Sequence, residues 1–212
     1  MKSKLMKAWH FFWHSDSAWS WIVNIMVAFV LIKYMIYPLL GLIMGTGFPI
    51  VAVVSESMEH GLHNGVICGQ QVVGFKDSED NFWKICGGWY ENKGITQTQF
   101  RDFPFNKGFY KGDIIIVWGT KPKNLEMGDV LIFQGHKPQP LIHRIIDKEQ
   151  LNGKYYFYTK GDHNSDILPN SIESKIPEEK LLGEGVLRVP YLGWVKILFV
   201  EAVRPLGINI VK

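Results

Sequence analysis

The chain is poor in cysteine. Among 212 residues there are two, Cys68 and Cys86, too few for a disulfide-built scaffold. It also lacks charge of one sign. Lys and Arg number 23 against 20 Asp and Glu, a net charge of only +3, with no concentrated basic face for nucleic acid. Glycine follows no G-X-Y period and no segment repeats, which excludes collagen-like and repeat architectures. No A-x-A cleavage site follows the long apolar run near the start, and that run exceeds an h-region, so an uncleaved anchor is expected. No helical pattern separates the strand-like blocks of the second half, which disfavours a parallel α/β sheet.

What is present is aromatic and apolar. Eight Trp, thirteen Phe and eight Tyr suit a chain that meets a membrane interface. Residues 1–18 carry Lys2, Lys4 and Lys7, which the positive-inside rule assigns to the cytoplasmic side, and Leu5, Trp9 and Phe12 share one helical face. Asp16 or Ser17 is an N-cap candidate. Residues 19–47 form the anchor, longer than the ~20 residues a bilayer requires. Lys33 lies within it and is read as snorkelling. Pro38 is expected to kink it, and Gly45 and Gly47 to end it.

From Ile50 the pattern changes to strands. Ile50 to Val54 reads as a strand buried on both faces and delivers V-S-E-S-M-E-H, placing Ser57 close to the lipid surface. Residues 61–109 show no clear period and read as an insertion with local structure. The two cysteines lie in it. Outside the membrane an oxidising compartment favours their pairing over two buried thiols, and closing a loop of about twenty residues would contribute roughly 3 kcal/mol. Beyond it, Ile114–Trp118, Val130–Phe133, Leu141–Ile146, 154–160 and 187–189 are short β-branched or aromatic runs punctuated by Gly112-Asp113 and Gly128-Asp129. A mainly β domain over residues 48–193 is expected. Residues 194–212 open with W-V-K-I-L-F-V-E-A-V, too short to span and read as a short amphipathic interfacial helix.

For chemistry, Ser57 offers a nucleophile, His143 a base set in a strand, and Asp162 and Asp166 two carboxylates in a turn. Taken singly, each has an ordinary structural reading: a turn serine, a satisfied strand histidine, a capping aspartate. Taken in order, S-E-S-M-E, K-G-D-I-I-I-V, G-D-V-L-I-F, L-I-H-R-I-I, T-K-G-D-H-N and V-P-Y-L-G-W-V-K resemble the type I signal peptidases of the archaeal and endoplasmic-reticulum branch. The likeness covers the anchor and most of the β domain but not residues 61–102.

That resemblance implies a signal-peptidase-like β-rich fold, shared with bacterial signal peptidases and certain self-cleaving repressors. It implies a membrane-bound serine endopeptidase that removes signal peptides from preproteins. Ser57 would be its nucleophile, His143 its base in place of the bacterial lysine, Asp166 its orienting carboxylate and Asp162 a contributor. Ser55 and the Ser57 N–H would serve the oxyanion, with Met58 beside them at the substrate. No cofactor is implied. The partners implied are signal peptides, the lipid bilayer and the protein-export channel, at a single-pass cell-membrane protein with its N-terminus cytoplasmic and its catalytic domain outside. Two departures stand out: Glu56 where many relatives have Gly, and His60 where many have Pro. Asp162 and Asp166 are also closer together than in eukaryotic relatives. The rival readings are a metal hydrolase using His60, His63, His136, His143 and His163, a membrane-tethered binding module, and a self-cleaving peptidase with lysine as base.

Overall fold

The computed structural model describes residues 6, 9, 11, 13–15, 17–74, 79–136, 138–167 and 174–203. Lys2, Lys4, Leu5, Lys7, Phe12 and Asp16 lie outside these, as does the end of the chain from residue 204. Contacts divide the chain into two units, Met1–Ile43 and Met44–Lys212.

The first unit is helical. Helix α1 (Ala18–Leu31) starts at Ser17, whose hydroxyl accepts the Ser20 N–H at 3.1 Å. Such a cap satisfies one of the N–H groups that a helix start leaves open. A π-helical turn (Ile32–Ile36) leads into α2 (Tyr37–Met44). Pro38 stands just after it, where its missing N–H interrupts the ladder in any case. The helix from Ala18 to Met44 is 27 residues long and contains an 18-residue window of mean hydropathy 2.1, long and apolar enough to cross a membrane. Gly45, with φ +67°, turns the chain out of the helix, at the first of the two glycines expected to end it. The Lys33 ammonium lies over the Phe29 and Tyr34 rings, at 5.7 and 5.3 Å. Cation–π contact thus accompanies the charge along the apolar helix.

The second unit is built on a seven-stranded antiparallel sheet. Its strands are β1 (Ile50–Ala52), β4 (Ile114–Trp118), β5 (Val130–Gln134), β6 (Pro140–Leu151), β7 (Lys154–Lys160), β8 (Ile176–Pro177) and β9 (Leu181–Val189). They run in the order β1-β4-β9-β5-β6-β7-β8. The central strand β5 is buried on both sides. Val130 and Ile132 join Val51, Val53, Met58 and Val117 in one apolar cluster, while Leu131 and Phe133 join Ile145 and Phe157 in another. Strand β1 differs from expectation. Val51 and Val53 are buried but Ile50 and Ala52 are only half-buried and Val54 is exposed, because β1 is an edge strand paired with β4 alone. A short apolar run cannot by itself distinguish these cases.

Residues 61–109 hold more order than their pattern suggests. A two-stranded hairpin (β2, Val66–Ile67; β3, Gln70–Gln71) precedes α3 (Glu79–Glu91) and α4 (Gln97–Asp102). Thr96 and Gln99 form a reciprocal capping box at the start of α4. Helix α3 buries Phe82, Trp83, Cys86 and Tyr90. Its Gly87, a poor helix former, has a reason to be there: a Cβ would stand 2.7 Å from the Trp83 indole. Cys68 and Cys86 are joined in a disulfide that ties the hairpin to α3. Helix α5 (Trp194–Val203) buries Ile197 and exposes Val195, Leu198 and Phe199.

Candidate active site

Backbone hydrogen bonds fix the loop after β1. Val53 donates to the Asp113 carbonyl and accepts from Gly112, both at 2.9 Å. The Ser57 carbonyl accepts the His163 N–H at 2.9 Å and the Met58 carbonyl accepts the Phe109 N–H at 3.1 Å. Met58 is buried, and its sulfur takes the Asp162 N–H at 3.4 Å. The nucleophile loop is thus stitched to the Gly161–Asn164 turn, 104 residues away in sequence.

Across this seam the Ser57 hydroxyl lies 3.1 Å from Nε2 of His143. Ser55 Oγ is 3.2 Å from Ser57 Oγ. His143 is carried by β6, where it pairs with Leu131 of β5, and is 4 % exposed. Burial lowers its pKa to about 4, with Lys160 adding to the depression and the Asp162 charge opposing it. An imidazole so placed is neutral at physiological pH, able to take a proton from a hydroxyl within hydrogen-bond reach. Gly161 lines the same space. A Cβ there would lie 2.7 Å from the Ser57 carbonyl and 3.0 Å from His143 Nε2. Only glycine lets the turn approach this closely.

The two carboxylates sit in different surroundings. Asp162 is fully buried. Arg144 binds it through Nε at 2.9 Å and Nη2 at 2.7 Å, the Tyr90 hydroxyl at 2.8 Å and His60 Nε2 at 2.9 Å. Burial alone would raise its pKa, but Arg144 and His60 hold it far below the usual carboxylate range. The remaining donors of Arg144 go to the carbonyls of Pro104, Gly128 and Phe105. Burying two charges is tolerated only when each is fully hydrogen-bonded, and this pair is. Asp166 instead accepts Trp89 Nε1 at 2.9 Å and the Ile167 N–H at 2.7 Å. The Asp162 charge acts on His143, while the described partners of Asp166 are Trp89 and the Ile167 N–H.

Behind the turn, Lys160 is buried and donates to the carbonyls of Gly161 and Asp162 at 3.0 and 3.1 Å. It lies under the Trp89 and Tyr90 rings, and burial lowers its pKa to about 8. Glu56 lies 3.6 Å from the Lys111 ammonium. The histidines of the metal reading are dispersed. His60 is on Asp162, His63 bridges to Val66 through backbone, His143 is on Ser57, His163 is on the Glu59 carbonyl, and His136 is exposed. Among the described residues no three His, Cys, Asp or Glu side chains are grouped to hold a metal ion. Arg144, Tyr90, Trp89 and Lys160 were not read as site residues from sequence. Arg144 and Lys160 lie in the named motifs, but Trp89 and Tyr90 are on α3, from the segment without a legible period.

No protein-family profile matches the chain. Curated homologues are catalytic subunits of the signal peptidase complex, named SEC11. The protein from Candida tropicalis is 28% identical over 100 residues, 45% of this chain and 60% of the relative. That from Lachancea thermotolerans is 30% identical over 100 residues, covering 44% and 59%. That from Scheffersomyces stipitis is 31% identical over 101 residues, covering 45% and 60%. The chain thus spans about three-fifths of the length of these curated relatives.

Proposed function

We propose that this protein is a membrane-bound serine endopeptidase that removes N-terminal signal peptides from preproteins. The observation that carries the proposal is the 3.1 Å approach of Ser57 Oγ to Nε2 of a buried, neutral His143. The similarity to catalytic subunits of the signal peptidase complex supports the substrate class. Ser57 attacks the scissile carbonyl while His143 Nε2 takes the hydroxyl proton. The Ser57 N–H and the Ser55 hydroxyl face the oxyanion that develops. Collapse of that intermediate passes the proton from His143 to the leaving amine, and water then releases the acyl group by the same steps. Met58, buried beneath the nucleophile, keeps the loop seated.

Asp162 stabilises the imidazolium through its charge, and Asp166 holds the Asp162 turn against α3 through Trp89. Asp162→Asn is expected to lower kcat about a hundred-fold, and Asp166→Asn less than about ten-fold, the difference expected between a preorganised charge and a supporting contact. Steady-state cleavage of a reporter preprotein, with folding followed by circular dichroism, checks this. The reverse order would return the orienting role to Asp166.

The topology follows from the same reading: a single span over Ala18–Met44, the N-terminus cytoplasmic, and the β domain outside, where an oxidising compartment keeps Cys68 and Cys86 paired. The exposed apolar side of α5 lies against lipid. The partners are signal peptides, the bilayer, further subunits of a signal peptidase complex and the protein-export channel.

A further inference from the structure

His60 holds a position that neither the resemblance nor the metal reading explains. It follows Ser57 by three residues on the same loop. Its ring is 2 % exposed and stacks on Phe82 of α3, centroids 3.6 Å apart and planes within 6°. Gly108 closes the other side: a Cβ there would stand 2.7 Å from His60 Cδ2. The ring plane is therefore fixed, and Nε2 points at Asp162 Oδ2 from 2.9 Å. Nδ1 is buried with no hydrogen-bond partner among the described residues. A bare ring nitrogen there costs less than an unpaired N–H, which assigns the hydrogen to Nε2 and makes His60 a donor to the carboxylate.

The other donors to Asp162 come from elsewhere, Arg144 from β6 and Tyr90 from α3. His60 alone among them belongs to the nucleophile loop. Three further stitches join this loop to the turn, Ser57 carbonyl to His163 N–H, Met58 sulfur to Asp162 N–H and Glu59 carbonyl to His163 Nδ1, and none of them reaches the Asp162 carboxylate. Only His60 grips the charged group itself. We infer that His60 is a positioning residue that sets the place of the Asp162 carboxylate relative to Ser57 and His143, so that the charge opposing burial of the imidazolium arrives with the nucleophile loop. The inference rests on the serine–histidine reading above.

Its test separates the hydrogen bond from the ring. Gln places an amide donor where Nε2 stands, and Met fills nearly the same volume without one. His60→Gln and His60→Met both lose the stack on Phe82, so a purely structural role moves them together. Steady-state cleavage of a reporter preprotein is measured on the full chain, at a temperature where circular dichroism shows each variant folded. His60→Gln should turn over about ten-fold faster than His60→Met, the rate equivalent of one hydrogen bond to a charged group, with KM within about two-fold. Equal kcat in the two variants, at whatever level, overturns the inference. Ser57→Ala is run alongside. Inactive Ser57→Ala with equal His60 variants removes the His60 role alone, whereas active Ser57→Ala removes the reading beneath it as well.

Discussion

The imidazole of His143 is held neutral by burial, and the pH profile should show it. Its pKa is lowered from 6.5 to about 4, and a general base must be unprotonated. Cleavage should therefore persist as pH falls from about 7 to about 5 and fail only near pH 4, whereas an unperturbed histidine would fail near 6.5. Stability moves in the same window. Between pH 6.5 and 4 the unfolded chain binds a proton at this position that the folded chain does not. The contribution is present above the unfolded value and is lost as pH falls, by up to about 3 kcal/mol. Initial rates and thermal unfolding from pH 4 to 8 check both, and an acid limb near 6.5 would contradict the burial of His143. At this scale the sequence was partly legible. Ser57 and His143 stood out because motifs flank both and their chemistry requires their meeting. His60 did not, because its partner Asp162 is 102 residues away and a lone histidine carries no signal of what it faces.

Helix α3 is the element on which the carboxylate side of the site depends. Phe82 stacks on His60, Trp89 binds Asp166, Tyr90 binds Asp162, and Cys86 closes the disulfide. The bond spans 18 residues of sequence, so Cys86→Ser should destabilise the protein by about 3 kcal/mol on the chain-entropy account. Thermal unfolding of the variant under non-reducing conditions measures it, and an unchanged midpoint would show that α3 is held by packing alone. The Gly-Asp turns and strands β4 to β7 were legible because β-branched runs between turn residues have few alternatives. Helix α3 was not. Its Gly87–Gly88 pair weakens helical propensity, and the reason for Gly87, the Trp83 ring lying against it, is visible only in three dimensions. Strand β1 reads as buried on both faces for a related reason, since edge position is a property of the sheet and not of the run.

At the scale of the whole molecule, a long apolar helix and a β-rich unit of opposite solvent preference are joined in one chain. The helix residues Met26 and Phe29 are 59 % and 57 % exposed, a surface that water does not favour. Replacing both with Arg adds about 3 kcal/mol per residue to the cost of insertion near mid-span. The variant should move from the alkali-resistant membrane fraction to the soluble one. Continued resistance would mean that the helix is not the anchor. This level was legible from length and hydropathy alone, because a run that long has few other uses.

The central claim is the pairing of Ser57 with His143, and cleavage of a reporter preprotein in liposomes tests it most directly. Wild type, Ser57→Ala and His143→Ala are compared with and without EDTA, each shown folded by circular dichroism. The account predicts wild-type processing indifferent to EDTA and at least about a thousand-fold loss in both variants, the size associated with removing a nucleophile or its base. Processing that survives Ser57→Ala and stops with EDTA would contradict it.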